Sequence, residues 1–401
     1  MKILHTSDWH VGKLLRGASR FDEYVAVLTE IADLVESEDA DLVIVAGDVF
    51  DTKNPAPEAE RLVYSTLQRI ARHCPVVVIA GNHDHPGKWG AVRGLLDLAN
   101  VTVAASVVAP SKGGTIRVET KSGPANVALV PWLSQRGIVS ADDLMDYDRD
   151  ANASAYSDRL GRILRALSGK FVEGEVNVMT AHLTVVDKTG QVVLGGGERK
   201  AHTVFDYCVD STVFPASAQY VALGHVHHAQ DLSAKTPVRY CGAPMHLDFS
   251  DTPDDKSVSI VEVEPGKAAA VRAVPIKGGR RMVTLKGTLT ECEAQAAKWA
   301  DPDGPGAWFR VLLDEPRRAG LAEEVRDRIP DAIDIRPRDA DVDVDAGSDV
   351  LDDADANPID LFTEFCTERG IEDPRVVKLF GELYDEVTSA GDEPADLAQA
   401  S

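Results

Sequence analysis

Cysteine is scarce in this sequence of 401 residues, and the five cysteines present lie far apart. None belongs to a Cys-x-x-Cys pair, so the sequence predicts reduced thiols in a cytoplasmic protein, with neither a disulfide framework nor a thiolate zinc site. Long hydrophobic runs are missing as well. No apolar stretch approaches the roughly 20 residues of a membrane-spanning helix, and polar side chains interrupt the first residues too early for a signal peptide.

Basic residues are in deficit, because 42 Lys and Arg face 65 Asp and Glu, for a net charge of −23. A surface of this charge repels polyanions and disfavours nucleic acid as a partner of the chain alone. The acidic excess is unevenly distributed along the chain. Residues 300–401 contain 28 acidic and 10 basic side chains, a net charge of −18, which leaves a net charge of −5 for residues 1–299. The charge therefore leaves open a nucleic-acid surface in the first three quarters of the chain.

The hydrophobic pattern predicts an α/β core, and the length predicts two or three domains. The N-terminal strands and helices alternate, which favours parallel strand pairing; they are predicted at 2–6 (strand), 21–36 (helix), 41–46 (strand), 57–72 (helix) and 75–80 (strand). Later apolar runs predict strands of a second, more mixed sheet, at 127–130, 176–180, 220–223 and 258–263.

The C-terminal third has a different pattern of apolar residues. A small α/β domain is predicted from alternating strands and helices at 281–289, 292–299, 308–313, 321–328 and 332–336. The predicted divisions of the chain are a main domain at 1–274, this small domain at 275–338, an acidic linker at 339–356, an amphipathic helix pair at 357–390 and a disordered tail at 391–401. The pattern alone leaves open whether the helix pair folds back or docks on helices of another protein.

Polar side chains that bind metals follow five predicted strands. They are Asp8, His10, Asp48, Asn82, His182, His225 and His227. Because ligands gather at the carboxyl ends of strands in α/β sheets, we expect these side chains to converge. Oxygen and imidazole donors without thiolate suit manganese, iron or zinc. Seven donors exceed one tetrahedral ion and suit two octahedral ions, which predicts a two-cation centre for phosphoester hydrolysis.

Further residues near these motifs have predicted roles. His83 is a candidate general acid for the leaving group, and Asp51 and Asp84 are expected to orient imidazoles. His5 lies inside a predicted strand and is expected to be a core histidine. The glycine-rich segment at 195–200 lacks the spacing of a phosphate loop and is predicted to be a surface loop.

The motifs together resemble a known family. In chain order they are MKILHTSDWHVGK, IVAGDVFDT, AGNHD, TAHLTVV, LGHVHHAQ and YCGAPMHLDFSD. The chain resembles calcineurin-like metallophosphoesterases and, more narrowly, is similar to the SbcD nuclease subunits. This resemblance implies a four-layer αββα sandwich with a small α/β capping domain that positions DNA.

The resemblance also implies a site and partners. One manganese ion is expected on Asp8, His10, Asp48 and His227, and a second on Asp48 (bridging), Asn82, His182 and His225. Other divalent metals remain possible, no organic cofactor is expected, and His83 takes the catalytic position. The implied partners are DNA ends and hairpins and an SbcC-type ATPase bound through the C-terminal helices, with a homodimer inside a heterotetramer in the cytoplasm near the nucleoid.

Two other functions remain as alternatives. The generic motifs also fit a phosphatase or phosphodiesterase that acts on small phosphoesters. A scaffold without metal that only binds its partner is a further hypothesis, although the complete set of donors disfavours it. The main expectation is a manganese-dependent nuclease that cuts double-strand ends exonucleolytically and single strands or hairpins endonucleolytically.

Overall fold

The computed structural model describes residues 1–133, 137–138, 156–186, 208–251, 255–299 and 306–337, and residues 362, 366, 375–377 and 379–381 near the C-terminus. The predicted loop at 195–200, the acidic linker and the predicted tail lie outside the described residues. Among the helices of the described ranges, none has the length and apolar character needed to cross a membrane.

Helices and strands alternate through most of the described chain. The helices are α1 (Phe21–Ser37), α2 (Pro57–Ala71), α3 (Pro86–Leu98), α4 (Tyr156–Ser168), α5 (Leu289–Ala296) and α6 (Leu321–Arg328). The strands are β1 (Lys2–Thr6), β2 (Leu42–Val45), β3 (Val76–Ile79), β4 (Val101–Ala104), β5 (Thr115–Thr120), β6 (Gly123–Val130), β7 (Val176–His182), β8 (Val185–Val186), β9 (Val209–Asp210), β10 (Tyr220–Gly224), β11 (Gln230–Leu232), β12 (Val238–Tyr240), β13 (Ser257–Glu262), β14 (Ala270–Pro275), β15 (Arg281–Gly287), β16 (Ala307–Leu313) and β17 (Ala332–Pro337).

Two six-stranded sheets form the main body. The first has the order β14-β13-β1-β2-β3-β4, with β1 to β4 parallel and β13 and β14 antiparallel at one edge. The second has the order β11-β12-β10-β7-β6-β5, with antiparallel strands only at its two edges. The central strands are apolar and β-branched because parallel strands are covered on both faces.

The two sheets pack face to face between helices. In β1, Ile3 points to the second sheet and Leu4 points to α1, because successive side chains of a strand face opposite ways. The outer face of the second sheet is covered by α4, through residues such as Leu160 and Leu164. The expected four-layer αββα arrangement is confirmed.

The prediction for one strand is wrong. Residues 258–263 were expected in the second sheet, whereas β13 pairs antiparallel with β1 in the first, with Leu4 opposite Ile260. Both faces of β13 are buried, so its pattern indicates burial without specifying which strand is its neighbour. The returning chain covers the edge of β1, which would otherwise expose unpaired backbone groups.

A separate three-stranded parallel sheet follows, in the order β15-β16-β17. Its core packs residues such as Leu285 and Val311 against α5 and α6. A capping box of Thr288 and Glu291 starts α5 at Leu289, three residues before the predicted start. Trp308 of β16 donates from its indole nitrogen to Glu23 of α1 over 2.7 Å, so the three-stranded sheet contacts a helix that covers the first sheet.

The described residues near the C-terminus are helical and belong to a second compact unit. They fall within the predicted helix pair. The rings of Phe362 and Phe380 stack with centroids 4.1 Å apart and planes at 14°. The two predicted helical segments therefore contact each other.

Candidate metal centre

The predicted metal-binding side chains lie at the carboxyl ends of parallel strands in both sheets. Asp8, Asp48 and Asn82 follow β1, β2 and β3 of the first sheet, while His182 ends β7 and His225 follows β10 of the second. All five are buried or nearly so. The fold thus gathers into one region groups as distant in sequence as Asp8 and His225, which are 217 positions apart.

The backbone is strained at this region. Positive φ angles occur at Asp8 (53°), His10 (47°), Asp48 (48°) and His225 (101°). Residues other than glycine disfavour this conformation, at a cost of about 1 kcal/mol or more each. Hydrogen bonds between the loops hold it, since the N–H of Asp8 donates to the Gly47 carbonyl and that of His10 to the Asp48 carbonyl, both over 3.0 Å. The strain is therefore concentrated at the residues with candidate metal-binding side chains.

Three glycines allow the loops to approach each other closely. A Cβ atom on Gly47 would collide with the His182 ring, and one on Gly81 would collide with the carboxylate and backbone nitrogen of Asp48. A Cβ atom on Gly224 would collide with the carbonyl oxygen of Ala46. Each glycine thus permits a close approach that a side chain would block.

The side chains form three overlapping groups of donors. In each group the donor atoms lie within 4.8 Å of one another; the groups are Asp8, His10 and His227; His10, Asp48 and His83; and Asp48, His182 and His225. Asn82 joins the last group, because its side-chain oxygen lies 3.0 Å from Nε2 of His182 and 3.1 Å from Nδ1 of His225. The structure therefore brings all seven predicted ligands into one cluster.

Asp48 occupies the middle of this cluster. Its Oδ2 atom lies 3.5 Å from Nε2 of His10 and 3.4 Å from Nε2 of His182. Burial alone would raise the pKa of Asp48, but the neighbouring imidazoles, His182 foremost, hold it well below its usual value. Burial would lower the pKa of His182, but the charge and hydrogen bond of Asp48, the charge of Asp8 and the Ala46 carbonyl together outweigh it and raise that pKa to about 9. The carboxylate thus favours positive charge beside it, on a proton or on a metal ion.

The rings are oriented in a way that suits metal binding. Nδ1 of His182 donates to the Ala46 carbonyl over 2.8 Å, which directs Nε2 into the cluster as the nitrogen that a metal ion would bind in place of a proton. His10 is buried, and neither ring nitrogen makes a well-formed hydrogen bond, although both lie 3.3–3.5 Å from carboxylate oxygens. Buried nitrogens of this kind, beside carboxylates, fit divalent metal ions.

His83 lies at the edge of the cluster. Its backbone N–H donates to Asp48 over 2.9 Å, and Nδ1 donates to the Asp51 carbonyl over 2.6 Å. The ring packs edge-on against His10, with centroids 4.6 Å apart. The Nδ1 proton is thus committed to the Asp51 carbonyl, and this bond fixes the orientation of the ring.

Asp51 and Asp84 contact different groups. The Asp51 carboxylate lies 3.3 Å from Nδ1 of His10, beside the ring it was expected to orient. Asp84 instead accepts backbone hydrogen bonds from Gly81 (2.9 Å), Phe50 (3.1 Å) and Val49 (3.3 Å). Burial, and then the charge of Asp48, raise the pKa of Asp84 to about 6. Asp84 therefore ties together the loops after β2 and β3.

Other histidines and neighbours have clear places. His5 is buried with the Tyr220 hydroxyl 2.8 Å from Nδ1, and burial lowers its pKa to about 3, so it is a core histidine as expected. Sequence reasoning missed Trp132, whose ring lies 5.1 Å from that of His225 and 6.1 Å from that of His182. The signal that could have found it was its position two residues after β6, a strand parallel to β7.

Comparison with known proteins gives concordant matches. Residues 1–229 match the family described as calcineurin-like phosphoesterase. The chain is 30% identical over 402 residues to the SbcD subunit of the SbcCD nuclease from Bacillus subtilis (strain 168), covering 96% of this chain and 97% of that protein. It is 31% identical over 342 residues to the SbcD subunit from Escherichia coli (strain K12), covering 78% of each. A crystal structure of a dimetal phosphatase from Danio rerio aligns with 69% of this chain and 99% of its own, at 11% identity and a TM-score of 0.37, too low to support an argument.

The chain belongs to the calcineurin-like phosphoesterase family. It is a metal-dependent hydrolase that acts on phosphodiester bonds, and its buried clusters of His and Asp have the chemistry that suits divalent metal ions. Within the family, it groups with the SbcD subunits of SbcCD nucleases, which match it over most of its length.

Proposed function

We propose that this chain is the manganese-dependent DNA nuclease subunit of a complex with an SbcC-type ATPase, acting in DNA end processing, repair and recombination. The observation that carries the proposal is the buried cluster of donors at the strand ends of a phosphoesterase fold, in a chain whose relatives are named as SbcD subunits of the SbcCD nuclease. The proposed activities are exonuclease on double-strand ends and endonuclease on single strands and hairpins.

The proposed centre holds two Mn²⁺ ions and no organic cofactor. One ion is assigned to Asp8, His10, Asp48 and His227, and the other to Asp48, Asn82, His182 and His225. Support comes from Asp48, because the same oxygen lies within 3.5 Å of His10 on one side and His182 on the other. Carboxylate, amide and imidazole ligands together suit manganese.

Divalent ions at such a centre stabilise negative charge on a phosphoryl group and lower the pKa of water. The chain then has to place the phosphodiester and supply a proton. Asn82 and His83 are the most exposed members of the cluster, at 9% and 8%, which makes this side the entry for a substrate. His83 is proposed as the general acid that donates from Nε2 to the leaving oxygen, with its ring held by the Asp51 carbonyl.

DNA binding by an acidic chain requires local positive charge. Three arginines surround the buried carboxylate of Asp334 where the small domain meets the loop after His10. Their Nε atoms lie 2.6 Å (Arg310), 3.1 Å (Arg336) and 3.6 Å (Arg16) from its oxygens. We assign the small domain at 275–338 to positioning DNA, with the partner providing most of the other phosphate contacts.

The C-terminal helix pair at 357–390 is proposed to bind the coiled coil of the SbcC-type ATPase. The stacked rings of Phe362 and Phe380 support a paired arrangement of the two segments, and Leu379 is 55% exposed, as an apolar contact residue would be before its partner binds. The proposed assembly is a homodimer within a heterotetramer, located in the cytoplasm with the nucleoid because its substrate is chromosomal DNA.

A cleavage assay with metal analysis tests this function. Purified chain with Mn²⁺ is incubated with hairpin DNA, with duplex ends and with p-nitrophenyl phosphate, in the presence and absence of the SbcC-type partner and ATP. We expect two Mn²⁺ per chain and DNA cleavage that increases with the partner. Rapid phosphatase turnover with intact DNA, even with the partner present, would instead support a phosphatase of small phosphoesters.

A further inference from the structure

A buried hydroxyl lies directly behind the carboxylate of Asp8. The Ser7 Oγ atom is 2.5 Å from Oδ2 of Asp8 and 3.0 Å from Sγ of Cys241, and a longer contact of 3.5 Å reaches the Gly242 carbonyl. Ser7, Asp8 and Cys241 are all almost completely buried. Ser7 follows β1 in the first sheet and Cys241 follows β12 in the second, so these contacts connect the two sheets beneath the cluster.

The chemistry of the three groups fixes the direction of the hydrogen bonds. A carboxylate that binds a metal ion is ionised and only accepts, so the single proton of the Ser7 hydroxyl is donated to Asp8. A separation of 2.5 Å is typical of a hydroxyl bound to a charged carboxylate. The Ser7 oxygen can then only accept from Cys241, whose thiol keeps its proton because burial raises its pKa.

Both oxygens of Asp8 are held. The backbone N–H of His225 lies 3.0 Å from Oδ1 and 3.2 Å from Oδ2, while Ser7 donates to Oδ2. The backbone at Asp8 has φ of 53°, which restricts how the side chain is presented. The plane of the carboxylate is therefore fixed before any ligand binds. Binding in this plane does not restrict the side chain further, so little conformational entropy is lost.

We propose that Ser7 and Cys241 are positioning residues for metal binding at Asp8: the Cys241 thiol donates to the Ser7 hydroxyl, which donates to Asp8 and holds its carboxylate in the orientation that binds the ion. The inference rests on the proposed assignment of Asp8 as a metal ligand. Outer hydrogen bonds of this kind typically change metal affinity by about 10- to 100-fold.

Manganese binding by the full chain tests the proposal, measured as free Mn²⁺ by electron paramagnetic resonance during titration. We expect Ser7→Ala to weaken one of two sites by about tenfold and to leave the other unchanged. Cys241→Ala should weaken the same site, whereas Cys241→Ser, which keeps a donor, should bind nearly as the unmodified chain does. Ser211→Ala is the matched control. Ser211 is also a fully buried serine, but its hydroxyl donates to the carbonyl of Ser233, the residue after β11, and not to a candidate metal ligand.

The results distinguish failure of this positioning role from failure of the metal assignment itself. Undiminished affinity of both sites in Ser7→Ala would overturn the proposal, as would equal weakening by Cys241→Ser and Cys241→Ala. If Ser7→Ala fails to fold, the pair of Cys241 variants decides by the same criterion. If the unmodified chain binds no Mn²⁺, the metal assignment of the proposed function fails first, and this inference fails with it.

Discussion

Three consecutive residues of one turn have three different tasks at the candidate centre. The Asn82 oxygen faces two imidazoles, the His83 ring packs on His10, and the Asp84 carboxylate binds backbone nitrogens. The sequence predicted separate roles for Asn82 and His83, whereas the backbone contacts of Asp84 depend on which neighbouring loop its side chain meets. A substitution at each position therefore has a different expected result.

Replacement of His83 by alanine removes the proposed general acid. Loss of general acid catalysis typically costs about 10²- to 10⁴-fold in rate, so we expect DNA cleavage to fall by that range. The backbone hydrogen bond from residue 83 to Asp48 does not need the side chain, and the manganese content should therefore remain that of the unmodified chain. Cleavage rate and metal content are measured on the same preparation.

His85→Ala is the matched control for this variant. The His85 ring accepts a hydrogen bond from the Gly87 backbone at the start of α3 and belongs to none of the three donor groups, so cleavage should persist. Loss of manganese from the His83→Ala variant would show that His83 is a ligand, as its place in the group with His10 and Asp48 also permits. Normal cleavage would reject the role of general acid.

His246 predicts a dependence of stability on pH. Burial, and then the charges of Lys256, Arg281 and Arg20, lower its pKa from 6.5 to about 3, while Asp255 acts in the opposite direction. Between those two values the unfolded chain binds a proton that the folded chain does not. The contribution of His246 to the free energy of unfolding therefore decreases as the pH falls below 6.5, by about 2 kcal/mol between pH 7 and pH 5.

The variant His246→Asn should lose that part of the pH dependence. Urea unfolding at pH 7 and pH 5, with chelator so that metal release does not contribute, measures the difference between the variant and the unmodified chain. Equal decreases in both proteins would contradict the neutral state of His246 in the fold.

Most central strands of both sheets could be predicted from the sequence, whereas two helices and the edge strands were not predicted; these are α3, α4, β4, β5, β11 and β14. β2 and β3 were each predicted within one residue at both ends, because continuous β-branched runs in parallel strands have few alternatives. The pairing of β13 with β1 could not be predicted, since the edge that a returning strand covers depends on the path of the entire chain. Periodicity indicates which face of a strand is buried and leaves its neighbour undefined.

A substitution at Gly81 tests how closely the loops after β2 and β3 must approach each other. A methyl group there collides with Asp48, so Gly81→Ala should lower the free energy of unfolding by about 1–3 kcal/mol and weaken Mn²⁺ binding. Gly94→Ala in α3 is the matched control, because no atom lies within 4 Å of its added methyl group. That control should gain about 0.5–1 kcal/mol. Equal stability of both variants would contradict the close approach.

Convergence of the candidate ligands could be predicted from the sequence because it follows from strand polarity. All seven follow or end strands whose carboxyl ends meet. The supporting contacts could not be predicted in the same way. Ser7 reaches Cys241, which is 234 positions away, and Asp84 binds backbone atoms rather than a ring, because these contacts depend on how loops from separate strands pack.

The most acidic part of the chain is also the part that is proposed to bind the partner. The acidic excess lies in the last quarter, which also contains the helix pair proposed to bind the SbcC-type coiled coil. Leu379 is exposed there while Phe362 and Phe380 stack on each other. A contact through Leu379 would thus bind a partner without breaking that stack.

Leu379→Asp and a deletion of residues 357–401 test this binding. Burying a leucine contributes about 1.5–3 kcal/mol, so the substitution should weaken association with the SbcC-type coiled coil by about tenfold or more, and the deletion should abolish it. Both changes lie outside the donor cluster and should leave the manganese content unchanged. Leu98→Asp, at an 88% exposed leucine in α3, is the control for a charge placed on an apolar surface elsewhere. If the deleted chain associates as well as the full chain, the coiled coil binds another surface, and the helix pair has a different role.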